Sequence, residues 1–350
     1  MADDVSCGGC ALRDVPLAEQ LEAKRKAVED ALREAGIDAG VEPCVDAHGQ
    51  GRRRATLHAR RGEDGVLRVG FAAARSHQIV DLADHDCPIL IPALQQSAAP
   101  VRALAQHLAG LKKPLDAVVT ATENGLDVDL RGAGKISERQ RLGLVEISGR
   151  EGLARLSLHG DIVVEPRLPV IRFGAAAIVL PPGGFLQATE LGEETLARLV
   201  IEGVSGAKRV ADLFAGSGTF ALRLAAFAEV KAAEQDRPAL AALDRAWRQT
   251  PGLKKIEGEG RDLFRRPVTA AELKGMDAVV FDPPRVGAAA QAREIAKSGA
   301  KRVVAVSCNA QTFAQDLQIL IAGGYKIERV VPVDQFRHSA HVEVVGILKR

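Results

Sequence analysis

The chain has no long apolar run and no leader of the secretory type. No stretch of about 18 consecutive apolar residues occurs, so no transmembrane helix is expected. Asp3 and Asp4 occupy the place where a signal peptide carries positive charge, so export is not expected either. These absences exclude an integral membrane protein and a secreted protein. They predict a cytoplasmic protein with no membrane partner, and no protein partner is indicated.

Cysteine is scarce and the net charge is small. Five cysteines, an odd number, in a chain without an export signal argue against a disulfide framework. Their remaining roles are metal binding, catalysis and core packing. The net charge of +2 argues against a uniformly cationic protein. Basic residues do cluster locally at 52–54 and 60–61, and this clustering indicates a surface for a polyanion.

The length and composition predict a folded chain with two domains, or one large domain with an appendage. The chain has 350 residues, of which 47% are hydrophobic and 26% are charged. Residues 1–40 contain Cys7-Gly8-Gly9-Cys10 and a predicted helix over 17–35. Residues 41–170 show short alternating segments with Gly or Asp turns, interrupted by a predicted helix at about 93–111. This pattern predicts a mostly antiparallel β domain that carries the basic residues.

Residues 171–350 change to an alternation of strands and helices. A strand pair is predicted around 172–187 and a helix over 190–201. Further strands are predicted at about 208–213, 229–234, 277–281, 302–306, 326–333 and 340–348. Helices are predicted between them at 219–228, 238–248, 291–298 and 312–321. The alternation predicts an α/β fold with a doubly wound sheet, in which the last two strands could pair antiparallel at one edge.

A glycine-rich turn follows the first strand of this alternation. Gly216 and Gly218 would let the backbone approach a ligand closely, and Glu234 ends the next strand, where an acid can bind ribose hydroxyls. Gly216-x-Gly218-x-x-Ala221 satisfies a relaxed dinucleotide fingerprint, so a nicotinamide cofactor fits. S-adenosylmethionine enzymes share the architecture, with an acid such as Asp212 before the turn. The turn alone does not separate the two cofactor classes.

Two further strand ends carry polar residues. Asp282 is followed by Pro283-Pro284, which would stiffen the backbone and fix the direction of the carboxylate. Cys308 follows the apolar run 302–306, at the sheet edge where α/β proteins bind ligands. By position alone, Cys308 could equally be a small buried core residue.

Together these motifs resemble those of the S-adenosylmethionine-dependent RNA 5-methyluridine (uracil-C5) methyltransferases. The resemblance covers almost the whole chain in the family's order. It implies a class I methyltransferase (Rossmann-like) domain at 171–350, with a smaller RNA-binding β domain at 41–170 before it. It also indicates that the RNA-binding barrel found at the N-terminus of many members is missing. The matching segments are CGGC (7–10), RRRATLHA (52–59), Cys87, FLQ (185–187), DLFAGSGTF (212–220), FDPPR (281–285), VSCN with Thr312 and Asp316, and the segment 334–343.

The resemblance also implies roles for individual residues. Cys308 corresponds to the nucleophile and Glu343 to the base. A thiolate that adds to carbon 6 of uracil makes carbon 5 nucleophilic, and a carboxylate can then remove the carbon 5 proton. Three positions depart from the family pattern: Thr189, Thr219 and Ala310. The residues implied to surround the cofactor are Gln187, Phe214, Glu234, Asp262 and Asp282.

Members that act on ribosomal RNA hold a [4Fe–4S] cluster on four cysteines. Cys7, Cys10 and Cys87 match three of them, whereas the fourth position is Met1 and Cys44 matches none. A start further upstream, another ligand, or loss of the cluster would each explain this. The resemblance favours 23S ribosomal RNA as the substrate, with transfer RNA as the alternative. The rival hypotheses are a nicotinamide-dependent oxidoreductase, which leaves Cys308 and Glu343 without a role, and a non-catalytic RNA-binding factor.

Overall fold

The computed structural model describes residues 7–74, 76, 78–108 and 114–350. Asp3, Asp4 and Met1, which the sequence singles out, lie outside these ranges. In the first half of the chain the elements are α1 (Leu17–Glu34), β1 (Val45–Asp46), β2 (Arg54–Arg61), β3 (Leu67–Ala72), β4 (Ile79–Asp81), α2 (Pro92–Gln95), α3 (Ala98–His107), β5 (Leu115–Thr122), β6 (Gly125–Arg131), α4 (Glu138–Arg150), β7 (Arg155–Leu158), β8 (Asp161–Val164), β9 (Val170–Phe173) and β10 (Ala176–Val179).

The second half of the chain alternates more regularly between helices and strands. Its elements are α5 (Glu190–Gly203), β11 (Arg209–Leu213), α6 (Ala221–Leu224), β12 (Glu229–Glu234), α7 (Arg237–Gln249), β13 (Ile256–Gly260), β14 (Ala278–Phe281), α8 (Ala289–Lys297), β15 (Arg302–Ser307), α9 (Ala310–Ala322), β16 (Lys326–Asp334) and β17 (Glu343–Lys349). Within the described ranges, none of the helices combines the length and the apolar character that crossing a membrane requires.

The chain divides into two compact units. Unit 1 comprises Met1–Arg13, Gln50–Ile171 and Val179–Glu190, and unit 2 comprises Asp14–Gly49, Arg172–Ile178 and Leu191–Arg350. The domain boundaries expected at 40 and 170 therefore differ from this division. Residues 7–13 belong to unit 1, whereas α1 belongs to unit 2 because it packs against α9 and β16.

Unit 1 contains a seven-stranded sheet in the order β4-β3-β2-β5-β6-β7-β8. All neighbouring pairs are antiparallel except β6 with β7. Leu57 and Ala59 of β2 are buried, whereas Thr56 is exposed and His58 is partly exposed, as the two-residue period of a half-buried strand requires. The helix predicted at about 93–111 is divided into α2 and α3, and Leu111 lies outside the described residues.

Unit 2 contains an eight-stranded sheet in the order β1-β16-β17-β15-β14-β11-β12-β13. Strand β14 pairs in parallel with β15 and β11, and β12 pairs in parallel with β11 and β13. All four residues of β14 are buried, as expected for a strand covered on both faces. This order confirms the predicted α/β methyltransferase fold. It also brings the carboxyl ends of β11, β12, β14 and β15 to one edge of the sheet.

Three details of unit 2 differ from the sequence prediction. The last two strands do pair antiparallel, but β17 lies between β15 and β16, and β1 forms the edge of the sheet. Strand β13 was not predicted, because its IEGEG sequence buries only Ile256 and has low strand propensity. The helix predicted over 219–228 is regular only over α6, and turns follow it.

Candidate functional site

Cys308 and Glu343 are brought together by the antiparallel pairing of β15 and β17. Ser307 pairs with Val344, so the next positions in this register are Cys308 and Glu343. Cys308 immediately follows β15 and is partly exposed, whereas Glu343 begins β17 and is 5% exposed. The carboxylate of Glu343 raises the pKa of Cys308, so the two side chains interact electrostatically. A thiol and a carboxylate thus face one another at the edge of the sheet where α/β proteins bind ligands.

Asp282 belongs to the same group of side chains. It follows β14, which pairs in parallel with β15 so that Phe281 is level with Ala305. The loop after Asp282 is fixed by the start of α9, because the side chains of Asn309 and Thr312 both donate to the Arg285 carbonyl at 3.2 Å. Asp316 also accepts a hydrogen bond from the Ala288 amide at 2.8 Å. The segment after Cys308 therefore holds the Asp282 loop in place.

Burial disfavours the charged forms of the carboxyl groups at this site and so raises their pKa values. Burial, together with the charge of Asp282, raises the pKa of Glu343 to about 8, although a hydrogen bond from Gln335 acts in the opposite direction. Burial raises the pKa of Asp282 to about 7. Burial also raises the pKa of Asp212, on β11, to about 8, with the charges of Asp282 and Glu234 adding to the effect. Such a concentration of acids favours a positively charged ligand.

The thiol of Cys308 is protonated at neutral pH in the free protein. Burial raises its pKa to about 11, and the carboxylates of Glu343 and Asp282 act in the same direction. Arg285 is the opposing charge that lowers this pKa. Because a thiolate is the reactive form of cysteine, this environment lowers the fraction of Cys308 that is reactive in the free protein.

The glycine-rich turn after β11 is held by the acid that ends β12. The Gly216 amide donates to Glu234 at 3.0 Å, and the other carboxylate oxygen accepts from the Asp236 amide at 2.8 Å. Gly216 has a φ of 54°, and an added Cβ would meet no atom within 4 Å. Gly218 has a φ of 95°, and a Cβ there would lie 2.4 Å from Leu243 of α7. The first glycine therefore leaves open space at the sheet edge, and the second allows α7 to pack closely.

Two aromatic rings lie beside this turn. Phe214 directly follows β11 with a φ of 61°, which is uncommon for a residue other than glycine. Its ring centroid is 5.4 Å from that of Phe264, which is 42% exposed. Asp262 accepts hydrogen bonds from the amides of Phe264 and Arg265 at 3.0 and 3.2 Å. One oxygen of Asp262 therefore shapes the turn that presents Phe264.

Gln187 lies in unit 1. It is 3% exposed, and its carbonyl accepts a hydrogen bond from Arg53 at 3.4 Å. Arg53 is itself 7% exposed, so the prediction that the cluster 52–54 forms a polyanion surface is wrong for this residue. Arg54 donates to the Gly183 carbonyl at 3.1 Å, and burial together with Arg131 lowers its pKa. These arginines instead order the segment that carries Gln187.

The cysteines of unit 1 lie near one another. Cys10 donates to Cys7 and, with Arg13 and Arg52 nearby, lowers the pKa of Cys7 to about 6. Burial raises the pKa of Cys87, which packs in the apolar core of unit 1. Cys44 lies in unit 2, where burial raises its pKa to about 12.

Cys7, Cys10 and Cys87 are the ligands that the sequence motifs imply for an iron–sulfur cluster. Among the residues that the structure describes, no group of three or more histidine, cysteine, aspartate or glutamate side chains is arranged to hold a metal ion. The [4Fe–4S] cluster implied by the sequence motifs is therefore not supported.

Sequence reasoning missed the residues that support Glu343. Gln335 is buried and donates from Nε2 to Glu343 Oε1 at 3.2 Å. Lys24 of α1 makes a buried ion pair with Asp334 at 2.6 Å. Lys24 lies among the buried positions of α1. This position was a signal for a buried ion pair, because a charged residue is rarely buried without a partner.

The chain was compared with known proteins. Residues 259–350 match a family model described as tRNA (Uracil-5-)-methyltransferase. The chain is 48% identical over 344 residues to an uncharacterized RNA methyltransferase of Brucella suis, covering 98% of this chain and 82% of that protein. It is 32% identical to the 23S rRNA (uracil(1939)-C(5))-methyltransferase RlmD of Pseudomonas syringae pv. tomato, covering 98% of this chain and 78% of that protein.

A solved structure has the same fold. The tRNA (uracil-54, C5)-methyltransferase of Pyrococcus abyssi, in complex with S-adenosyl-L-homocysteine, superposes with a TM-score of 0.76 at 24% identity. The match covers 98% of this chain and 85% of that chain. The fold is thus that of a class I methyltransferase. The identities to the curated relatives show that the chain belongs to the RNA uracil-5-methyltransferase family.

Proposed function

We propose that the protein transfers a methyl group from S-adenosylmethionine to C5 of a uridine in RNA through a covalent adduct on Cys308. The observation that carries the proposal is the opposition of Cys308 and Glu343 across β15 and β17, with Asp282 beside them. A nicotinamide oxidoreductase would need neither the thiol nor the carboxylate. A non-catalytic RNA-binding factor would not need the costly burial of three acids.

The residues of unit 2 fit S-adenosylmethionine. The open space at Gly216 leaves room for the cofactor beside the turn, and Glu234 would bind the ribose hydroxyls. Phe214 and Asp262 would border the adenine. The raised pKa values of Asp212 and Asp282 point to a cationic ligand, because its charge would stabilise both carboxylates. The cofactor supplies an electrophilic methyl group on a positively charged sulfur. We propose that Gln187 contributes to the same function.

The protein's own groups would then activate the base. Cys308 gives its proton to solvent and its sulfur bonds to C6, while the C5=C6 electron pair moves onto the C4 oxygen to give an enolate. C5 of this enolate then bonds to the methyl group, and S-adenosylhomocysteine leaves with the electron pair of the broken sulfur–methyl bond. Glu343 then removes the C5 proton, the C5=C6 bond re-forms, and the electron pair of the C6–S bond leaves with Cys308 as a thiolate. A carboxyl group with a pKa of about 8 is a stronger base than an ordinary glutamate, which suits this last step.

We propose that unit 1 binds the RNA. Its exposed basic side chains include Arg61, Arg131 and Arg139, which could contact phosphates. Thiol addition needs access to the face of the uracil, so the target nucleotide must be turned out of any helix or stacked loop.

Ribosomal RNA is the preferred substrate in this proposal. One curated relative, which is 32% identical over nearly the whole chain, is named as a 23S rRNA (uracil(1939)-C(5))-methyltransferase. Transfer RNA is the second candidate, because the family model and the superposed structure are both named for tRNA methylation.

The test is methyl transfer from radiolabelled S-adenosylmethionine to unmodified 23S rRNA and tRNA transcripts. We expect 5-methyluridine in 23S rRNA, none with Cys308→Ala, and a covalent protein–RNA species that persists in SDS with Glu343→Gln. Full activity of Cys308→Ala would refute the covalent mechanism. Methylation of tRNA alone would replace the substrate, and methylation at another atom would refute the uracil-C5 assignment.

A further inference from the structure

A buried amide contacts the carboxylate assigned as the base. Gln335 immediately follows β16, is 0% exposed, and donates from Nε2 to Glu343 Oε1 at 3.2 Å. The donor is an uncharged amide, so it is available at every pH at which the protein is folded. This hydrogen bond lowers the pKa of Glu343 against the larger effect of burial. The contact therefore favours the charged form that must accept a proton.

The backbone that carries Gln335 is anchored by a buried ion pair from a distant part of the chain. Lys24 Nζ lies 2.6 Å from Asp334 Oδ1, and both side chains are almost completely buried. The same carboxylate oxygen accepts from the Phe336 amide at 2.8 Å, and Lys24 also donates to the Phe336 carbonyl at 3.1 Å. Gln335 is thus flanked on both sides by residues that Lys24 holds.

A second residue of α1 holds the next part of the segment that connects β16 to β17. Gln20, one turn before Lys24, accepts from the His338 amide at 2.9 Å through its side-chain oxygen. His338 has a φ of 64°, so its backbone is in the left-handed region and needs such support. Gln20 and Lys24 lie on the same face of α1 because they are four residues apart. The connection between β16 and β17 is therefore fixed by α1.

We propose that Gln335 is a positioning residue that orients the Glu343 carboxylate for removal of the C5 proton, with Lys24 and Asp334 fixing Gln335 in turn. This inference rests on the proposed function, in which Glu343 is the base. A lost hydrogen bond would slow the elimination step specifically, because Cys308 addition and methyl transfer do not need the Glu343 proton acceptor. The methylated adduct should then accumulate.

The experiment uses Gln335→Met in the full chain, with Gln291→Met as the matched control. Gln291 is also a buried amide of unit 2, but it exchanges hydrogen bonds with the backbone of Val268 at 2.8 and 2.9 Å. Single-turnover methyl transfer and the SDS-stable adduct are measured together. We expect Gln335→Met to keep the methyl-transfer rate within about threefold, to release product at least about tenfold more slowly, and to accumulate adduct. Gln291→Met should change neither rate.

A pH profile provides the second readout. The groups that face Glu343 are Asp282 and Arg285 after β14 and Cys308 after β15, and His341 contacts Arg285 at 3.0 Å. Loss of the Gln335 donor should move the rising limb of product release to higher pH. Gln335→Asn, whose amide is too short to reach Glu343, should behave like Gln335→Met.

The outcomes separate this inference from the proposed function. Equal slowing of both steps, or product release within twofold of the wild type, would overturn the positioning role while Cys308→Ala and Glu343→Gln still behave as proposed. If Glu343→Gln itself released product normally, the proposed function would fail first. Retained binding of S-adenosylmethionine, measured by calorimetry, shows that each variant is folded.

Discussion

The thiol pair of unit 1 and the strand-end thiol of unit 2 lie in opposite electrostatic environments. Cys7 accepts a hydrogen bond from Cys10 and has Arg13 and Arg52 nearby, so its pKa falls to about 6. Cys308 is buried near Glu343 and Asp282, so its pKa rises to about 11. Arginines lower the pKa of Cys7, whereas carboxylates raise the pKa of Cys308. If Cys308 is the nucleophile as proposed, the thiolate fraction in the free protein does not identify the catalytic cysteine.

The largest expected difference between the two thiols is in methyl transfer. Cys308→Ala removes the only atom in the mechanism that can bond to C6, so we expect a loss of at least about 1,000-fold in single-turnover methyl transfer. Cys7→Ala should keep the rate within about threefold, because no step of the mechanism uses that thiol. A comparable loss in both variants would mean that the unit 1 thiols take part in the reaction.

In chemical labelling of the free protein, Cys7 should react faster than Cys308, the opposite of their expected importance for methyl transfer. At pH 7, Cys7 is mostly thiolate and Cys308 is almost entirely thiol. After allowance for the lower intrinsic nucleophilicity of a low-pKa thiolate, iodoacetamide should modify Cys7 about 30-fold faster than Cys308. Peptide mass spectrometry of the free protein measures both rates. Faster modification of Cys308 would contradict the electrostatic account of the site.

The acids around Cys308 also predict how activity depends on pH. Glu343 must be ionised to accept a proton, and its pKa is raised to about 8, so the charged fraction increases as the pH rises. Product release in a single turnover with 23S rRNA should therefore accelerate by about 25-fold between pH 6.5 and 8.5. Unit 1 offers the comparison, since RNA binding by its arginines should hardly change over this range. A flat rate profile would exclude Glu343 as the titrating base.

The sequence predicted the strands of the catalytic unit well, because their runs of buried Val, Ala and Ile have a clear pattern. Strand ends were predicted within a few residues, and this placed Cys308, Asp282 and Glu234 at one edge of the sheet. Strand β13 was missed because its Glu and Gly residues carry no such pattern. Strand β1 was missed because two residues are too short for any periodicity.

The support of the site could not be predicted in the same way, because it depends on contacts between residues far apart in the chain. Lys24 and Asp334 are 310 positions apart, and only the packing of α1 against β16 brings them together. The burial of Arg53 was also hidden, since a run of three arginines indicates an exposed face. Composition and periodicity therefore predict elements, whereas the partners of buried polar groups require the fold.

The smallest expected effect concerns stability, and it contrasts the buried acid of unit 2 with the thiols of unit 1. The folded protein raises the pKa of Glu343 from 4.5 to about 8, so the folded state binds an additional proton within this window. Stability from this group is fully present below pH 4.5 and is lost as the pH rises through 8. Glu343→Gln removes this pH-dependent loss of stability, because glutamine does not titrate. The Tm of Glu343→Gln minus that of the wild type should therefore be about 3–6 °C larger at pH 9 than at pH 5. For Cys87→Ala, the same difference in Tm should not change between the two pH values. Thermal unfolding at both pH values measures the difference, and an equal Tm offset at pH 5 and pH 9 would show that Glu343 is not held in its protonated form.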